Sequence, residues 1–178
     1  MSTPNHDEVP PSAGAYVRAL LDCVAGRKHE ILLEPGRSLV GNAGLLLTRV
    51  EYLKHGDTRN FAVVDAAMND LIRPALYDAY HEIRLVRPPT RSDSVRYEVV
   101  GPVCESADFL AHDREFALSE DDLLAVMSTG AYGMSMSSNY NSRPRAAEVM
   151  VDGDKAHLIR ERERIEQLFA GERLLPYR

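Results

Sequence analysis

The sequence predicts a mainly β fold: an antiparallel β-barrel or sandwich over residues 44–178, preceded at 1–43 by the last αβ unit of a parallel α/β structure. Three observations predict it. Short stretches that alternate apolar and polar residues, such as "VRYEVV" at 95–100, recur between Leu45 and Arg160 with the spacing of all-β domains. A 3.6-residue apolar period appears near the start, at Tyr16, Ala19, Leu20, Cys23 and Val24. "EILLE" at 30–34 is almost uniformly apolar at its centre, the pattern of a strand buried on both faces. Such a strand needs neighbours on both sides, and the segment before it supplies none.

In chain order, Ser12 can cap the first helix and Gly26 can end it. Strands are expected in "LLLTRVEYLKHG", in "NFAVVDA" at 60–66, in "HEIRLVR" at 81–87 and at 95–100, with a turn at His55-Gly56-Asp57. "DLLAVMST", "AAEVMVDG" at 146–153 and "KAHLIR" at 155–160 complete the set. The Asp152-Gly153 pair between the last two signals a hairpin. "ERERIEQLFAG" reads as a short charged helix ending at Gly171. No repeat or low-complexity tract interrupts the pattern.

At 178 residues the chain suits one domain, or one domain with an appendage. A net charge of -6, with no basic run, argues against a nucleic-acid partner. Apolar runs such as "GLLL" at 44–47 are far too short to span a bilayer, so no membrane partner is expected. "MSTPNHDEVPP" lacks the apolar core of a secretory signal, so a cytoplasmic chain is expected, with Cys23 and Cys104 as free thiols rather than a disulfide.

Four stretches could carry chemistry. "LEPGRSL" sets Glu34, Gly36 and Arg37 around a Pro-Gly turn, either a plain turn with a surface ion pair or an anion-binding corner. "NDLIRPALYDAY" places Arg73 and Tyr77 four residues apart on one face of a short helical turn, either a connector or a ligand contact. "GPVCESADFL" puts Cys104 beside Glu105 behind a Gly-Pro turn; a free cysteine is ordinarily a small buried hydrophobe, while a proline that stops the ladder would expose the pair. "TGAYGMSMSSNYNSRPRAAEV" is a flexible loop or a glycine-permitted loop that aims Tyr132 at a ligand.

Taken in order, "EPGRSLVGNAG", "VDAAMNDLIRPALYDAYHEI", "GPVCESADFLA" and "GAYGMSMSSNYNSRPRAAEV" closely resemble the C-terminal half of the diaminopimelate decarboxylases. These are pyridoxal-phosphate enzymes of the alanine-racemase-like fold type, related to the ornithine and arginine decarboxylases. The resemblance runs over nearly the whole chain. It implies that the opening helix and strand are the last unit of a cofactor-holding (β/α)8 barrel, and that the rest is the antiparallel β domain completing the site. It also implies a cytoplasmic homodimer in lysine biosynthesis, with active sites shared between chains.

Carried over position by position, the resemblance gives Cys104 the role of the acid that protonates the carbanion after carbon dioxide leaves. Arg37, Arg73, Tyr77 and Glu105 resemble the groups that hold the far end of the amino-acid substrate. Glu34, Gly36, Arg37 and Tyr132 resemble contacts to the cofactor phosphate and ring, with Tyr132 also facing substrate. Diaminopimelate has an amino-acid group at each end, so guanidinium and carboxylate partners both make sense. The related decarboxylases carry an aspartate where this chain has Glu105, and ornithine's distal end is an ammonium alone. The family's Schiff-base lysine, stacking histidine and glycine-rich phosphate loop have no counterpart here; Lys28, Lys54 and Lys155 are the only lysines, none in that setting. The isolated chain is therefore expected to be an inactive fragment, whether a truncation, a misplaced start or an expressed piece. A non-catalytic binding module that has kept the family's surface is the alternative.

Overall fold

A computed structural model describes residues 9–176. Helix α1 spans Ala13–Cys23, and Ser12 caps it as expected, its Oγ accepting from the Ala15 N–H at 3.2 Å. Helix α2 (Gly36–Val40) leads through a 3₁₀ turn, Gly41–Ala43, into strand β1, Leu46–Lys54. Strand β2 (Asn60–Val64), helix α3 (Arg73–Tyr77), strand β3 (Ile83–Leu85) and strand β4 (Val95–Val100) follow. Then come β5 (Phe109–Phe116), β6 (Leu123–Val126), the ribbon β7 (Glu148–Asp152) and β8 (Lys155–Arg160), and a short helix α4, Ile165–Leu168.

Six strands form one sheet in the order β3-β6-β1-β2-β4-β5, and β7-β8 form a separate ribbon. The architecture is mainly β, with two corrections to the expected antiparallel barrel or sandwich. Strands β2 and β4 pair in parallel, Ala62 against Val99, because the excursion through α3 and β3 lets the chain re-enter the sheet in the same direction. The six-stranded sheet is open at β3 and β5, and the ribbon is no second layer, every residue of β8 being exposed.

One face of the sheet is the core. Val50, Ala62, Val64, Tyr97, Val99, Leu110, Leu124 and Val126 pack there together with Leu71 and Leu118. Strict alternation puts Val50 and Thr48 inward on β1, with Leu47, Arg49 and Glu51 outward. Burying such a Val or Leu stabilises by about 1.5–3 kcal/mol.

Strand β5 is absent from the set expected from the sequence. Its pairing with β4 is irregular and Asp113 turns to φ 51°, so alternation breaks in mid-strand and the period is lost. The hairpin at Asp152 forms, but its two-residue loop is Gly153-Asp154, with Gly153 at φ 60° as the first central residue. Helix α4 ends at Leu168 rather than Gly171.

The expected strand at Ile31–Leu33 does not form. The segment is outside any ladder, and Ile31, Leu32 and Leu33 are exposed by 36, 83 and 47%. A strand exists only by pairing, and nothing pairs with this one. Helix α1 likewise buries no residue. The whole surface, 13078 Å², compares with about 8,700 Å² for a compact monomer of this mass. Exposed apolar side chains of α1, the 30–34 segment and the ribbon, such as Tyr16, Leu32 and Val151, contribute to that excess.

Candidate functional site

Three glycines bring two distant loops together. Thr129 N–H donates to the Gly44 carbonyl at 2.9 Å, and Gly130 N–H to the Gly41 carbonyl at 3.0 Å. Ser128 Oγ donates to Asn42 Oδ1 at 2.9 Å. A side-chain carbon on Gly44 would meet Gly130 Cα at 2.6 Å, and one on Gly130 would run into the Val40 carbonyl oxygen. Only glycine allows this approach. Gly130→Ala is therefore expected to lower unfolding free energy by about 1–3 kcal/mol, the usual cost of overpacking. Gly171→Ala, with open space around it, should stay within about 0.5 kcal/mol. Urea unfolding midpoints of the two variants check this.

The docking carries Arg37, on α2, to Tyr132. Tyr132 sits at φ 61°, a left-handed conformation that costs a bulky residue energy and is kept where the surrounding chain demands it. Next to it, a Cβ on buried Gly133 would strike the Thr129 carbonyl, so the loop closes tightly on itself. From α3, Arg73 sets its guanidinium carbon 5.3 Å from the Tyr132 ring centroid and 5.4 Å from that of Tyr77. These are cation–π distances, so two aromatic faces hold one guanidinium. Pro74, at the first turn of α3, fixes where this short helix begins.

Arg37 and Arg73 lie close enough to interact. Burial depresses the Arg37 pKa, the positive charge of Arg73 depresses it further, and Tyr132 raises it. Two like charges held side by side repel, and a bound anion relieves the repulsion. Beneath them His81 is 1% exposed, its Nδ1 bonded to the Met127 carbonyl at 2.8 Å and its Nε2 without a hydrogen-bond partner. Burial keeps His81 below the usual imidazole pKa; the Met127 bond opposes this, and Arg73, Arg37 and Arg114 reinforce it. These influences favour the neutral imidazole.

Cys104 and Glu105 lie elsewhere, on the bend between β4 and β5, and both are exposed. The ladder stops at Val100, ahead of Pro102, as the sequence suggested. Tyr140 donates its hydroxyl to Glu105 Oε2 at 3.2 Å, and that carboxylate raises the Tyr140 pKa. Cys23 is also a free, exposed thiol. The structure thus gathers Arg37, Arg73, Tyr77 and Tyr132, and sets Cys104 and Glu105 in a second group with Tyr140. Glu34 stands exposed just before the corner, and Gly36 opens α2 with nothing within 4 Å of where a Cβ would be.

Sequence reasoning missed the residues that tie these loops to the sheet. Arg143 donates to Asn69 Oδ1 at 2.8 Å and to the Asp65 carbonyl at 2.6 Å, and lies 3.8 Å from Asp70. Burial raises the Asp70 carboxyl pKa, while the Ala67 N–H and Arg143 oppose the shift. Glu163 accepts from Asn139 at 2.6 Å and from the Arg145 N–H at 2.8 Å, closing the loop from the far side. A dense Asn, Ser and Arg loop signals such bonds only weakly, since the same composition suits a solvated turn. A surface groove of about 740 Å³ runs between Tyr80 and β5 and includes neither Arg37, Tyr132 nor Cys104. Convergent charge and aromatic contacts, rather than concavity, mark the site.

Residues 15–130 match the family described as pyridoxal-dependent decarboxylase, C-terminal sheet domain, and the chain belongs to that family. It is 60% identical over 170 residues to diaminopimelate decarboxylase of Pseudomonas aeruginosa, covering 96% of this chain and 41% of that protein. The enzyme of the same name from Vibrio cholerae is 55% identical over 171 residues, again covering 96% of this chain and 41% of the relative. The crystal structure of Helicobacter pylori diaminopimelate decarboxylase complexed with L-lysine superposes with TM-score 0.84 at 41% identity, covering 93% of this chain and 41% of that one. The chain spans about two fifths of the length of the relatives it matches. A viral arginine decarboxylase, TM-score 0.65 at 18% identity, shares the fold.

Proposed function

We propose that this chain forms the substrate-recognising part of a pyridoxal-phosphate-dependent decarboxylase that converts meso-diaminopimelate to lysine and carbon dioxide in the cytoplasm. The observation that carries the reading is Arg73, held between Tyr77 and Tyr132 with Arg37 beside it. Two adjacent guanidiniums with aromatic walls suit a carboxylate on a short aliphatic chain. Lysine lacks the second carboxylate, so this pair gives the site a means to tell substrate from product.

The residues present fit a cofactor contact without supplying a covalent one. Gly36 leaves open space at the corner and half-buried Arg37 offers an anion partner there, so Gly36, Arg37 and Tyr132, with Glu34 at the entrance, would hold the phosphate and ring edge. Bound there, pyridoxal phosphate supplies the electron sink that lets the carboxylate leave. The protein's part is orientation and the proton. Arg73 and Arg37 fix the distal carboxylate, Glu105 accepts the distal ammonium, and the Cys104 thiol gives its proton to the α-carbon once carbon dioxide has gone.

Residues 1–43 fit the last αβ unit of a (β/α)8 barrel, and residues 44–178 the β domain beside it. The bare helix α1 and the unpaired 30–34 segment support this division, because barrel neighbours would cover both. The exposed Cys104–Glu105 bend fits a homodimer in which each chain completes its partner's site.

Arg73→Lys tests the reading in a chain of family length that ends in this sequence. Exchanging a fork for a point charge should raise KM for diaminopimelate by the equivalent of about 1–3 kcal/mol. Cofactor affinity should stay within about twofold, well below the tenfold that 1.4 kcal/mol represents. An unchanged KM would remove Arg73 from the distal-carboxylate site.

A further inference from the structure

Between Gly101 and Phe109 the chain makes a compact bend whose only buried charged group is Asp108, at 4% exposure. Each of its carboxylate oxygens accepts one backbone N–H: Val103 donates to Oδ2 and Met68 to Oδ1, both at 2.7 Å. The first bond ties Asp108 across the bend that carries Cys104 and Glu105. The second ties it to the loop that runs through Asn69 and Leu71 into α3 and Arg73. The bend is closed further by Gly101 N–H to the Asp108 carbonyl at 3.0 Å, Glu105 N–H to Val103 at 2.8 Å and Asp108 N–H to Glu105 at 3.0 Å. Gly101 packs directly on the carboxylate; a Cβ there would meet Asp108 Oδ1 at 2.6 Å and the Ala66 carbonyl at 2.8 Å.

We propose that Asp108 is a positioning residue that clamps the Cys104–Glu105 bend to the Arg73 loop, so that the proton donor and the distal-carboxylate ligand are set by one buried carboxylate. The role in catalysis rests on the functional reading above; the clamp itself does not. Both bonds are charge-assisted and short, so they constrain more than a neutral turn would. Together with the backbone bonds of the bend, this carboxylate limits where the Cys104 thiol can stand. The coupling reaches two chains at once if Cys104 serves a partner's site, since Arg73 then serves its own.

Two measurements decide it. In the 178-residue chain, Asp108→Asn keeps the size of the side chain but replaces one acceptor with an NH₂ group. Exchange of the Met68 or the Val103 amide should then quicken about tenfold or more, as expected for a lost bond to a charged group. The Val99 amide in β4 should be unaffected. Unchanged exchange at both Met68 and Val103, or equal quickening across the whole sheet, would overturn the clamp. In a chain of family length ending in this sequence, Asp108→Asn should lower kcat about tenfold or more, but by less than about twofold when Cys104 is already alanine. Gly101→Ala, which displaces the same carboxylate, should show the same dependence on Cys104. An equal loss in both backgrounds would mean that Asp108 acts through stability alone. Full activity of Cys104→Ala would overturn the functional reading and with it this role for Asp108. The exchange result identifies which of the two has failed.

Discussion

The 178-residue chain, purified and supplied with pyridoxal phosphate, is expected to release no carbon dioxide from meso-diaminopimelate above the rate with cofactor alone. Enzymes typically accelerate reactions by about a millionfold or more, and in the proposed reaction that would depend on a covalently held cofactor. The chain has three lysines, Lys28, Lys54 and Lys155. Lys54 lies over the Phe61 ring at 6.0 Å on β1, Lys155 opens the exposed strand β8, and Lys28 is exposed in the segment after α1. None joins the group formed by Arg37, Arg73 and Tyr132. On the proposed reading that group binds a carboxylate, but binding substrate without stabilising its transition state does not raise kcat. Carbon dioxide release that borohydride abolishes would show that one of these lysines does take the cofactor. A chain of family length ending in this sequence should turn over under the same conditions, which separates a missing group from a site misread altogether. The non-catalytic alternative predicts no turnover in either.

How far the sequence could be read depended on whether a feature is local. Ser12, Asp152-Gly153 and the alternation of "VRYEVV" act within a few residues, and the helix, hairpin and strand they announce are all present. The parallel pairing of β2 with β4 is set by where α3 and β3 send the chain, which no window of either strand contains. Ile31–Leu33 has a strand's composition and no ladder, so composition alone could not make it one. The site divides the same way. Arg73 and Tyr77 share a face because four residues separate them on a helix, whereas their meeting with Tyr132 needs the Gly41, Gly44 and Gly130 contact. Asp108 was overlooked because its partners are backbone amides, and a carboxylate that binds amides looks in sequence like any solvated one.

Mixing two chains of family length, each with little activity of its own, should raise activity well above either alone: one with Cys104→Ala, the other without the cofactor lysine. The geometry that leads to this is the separation of the two groups described above. Arg37, Arg73 and Tyr132 converge through glycine contacts and cation–π pairs, while Cys104 and Glu105 stand out on a bend past Pro102, joined to that cluster through Asp108 and the loop it anchors and through the Tyr140–Glu105 bond. A thiol that must give its proton to a carbon in its own cluster would be expected to face inward, and free cysteine usually is buried. An exposed thiol beside an exposed carboxylate, on a chain with much uncovered apolar surface, instead suits a surface completed by a second copy. In a two-fold dimer the same bend enters the partner's site and the partner's bend enters this one. Random exchange then makes half the dimers mixed, each with one intact site of two, so recovery should approach about a quarter of the wild-type rate. The subunits must be shown to exchange, for which a mass-tagged chain and native mass spectrometry suffice. With exchange shown and no activity recovered, Cys104 would have to act within its own chain, and the exposed bend would need to fold inward when substrate binds.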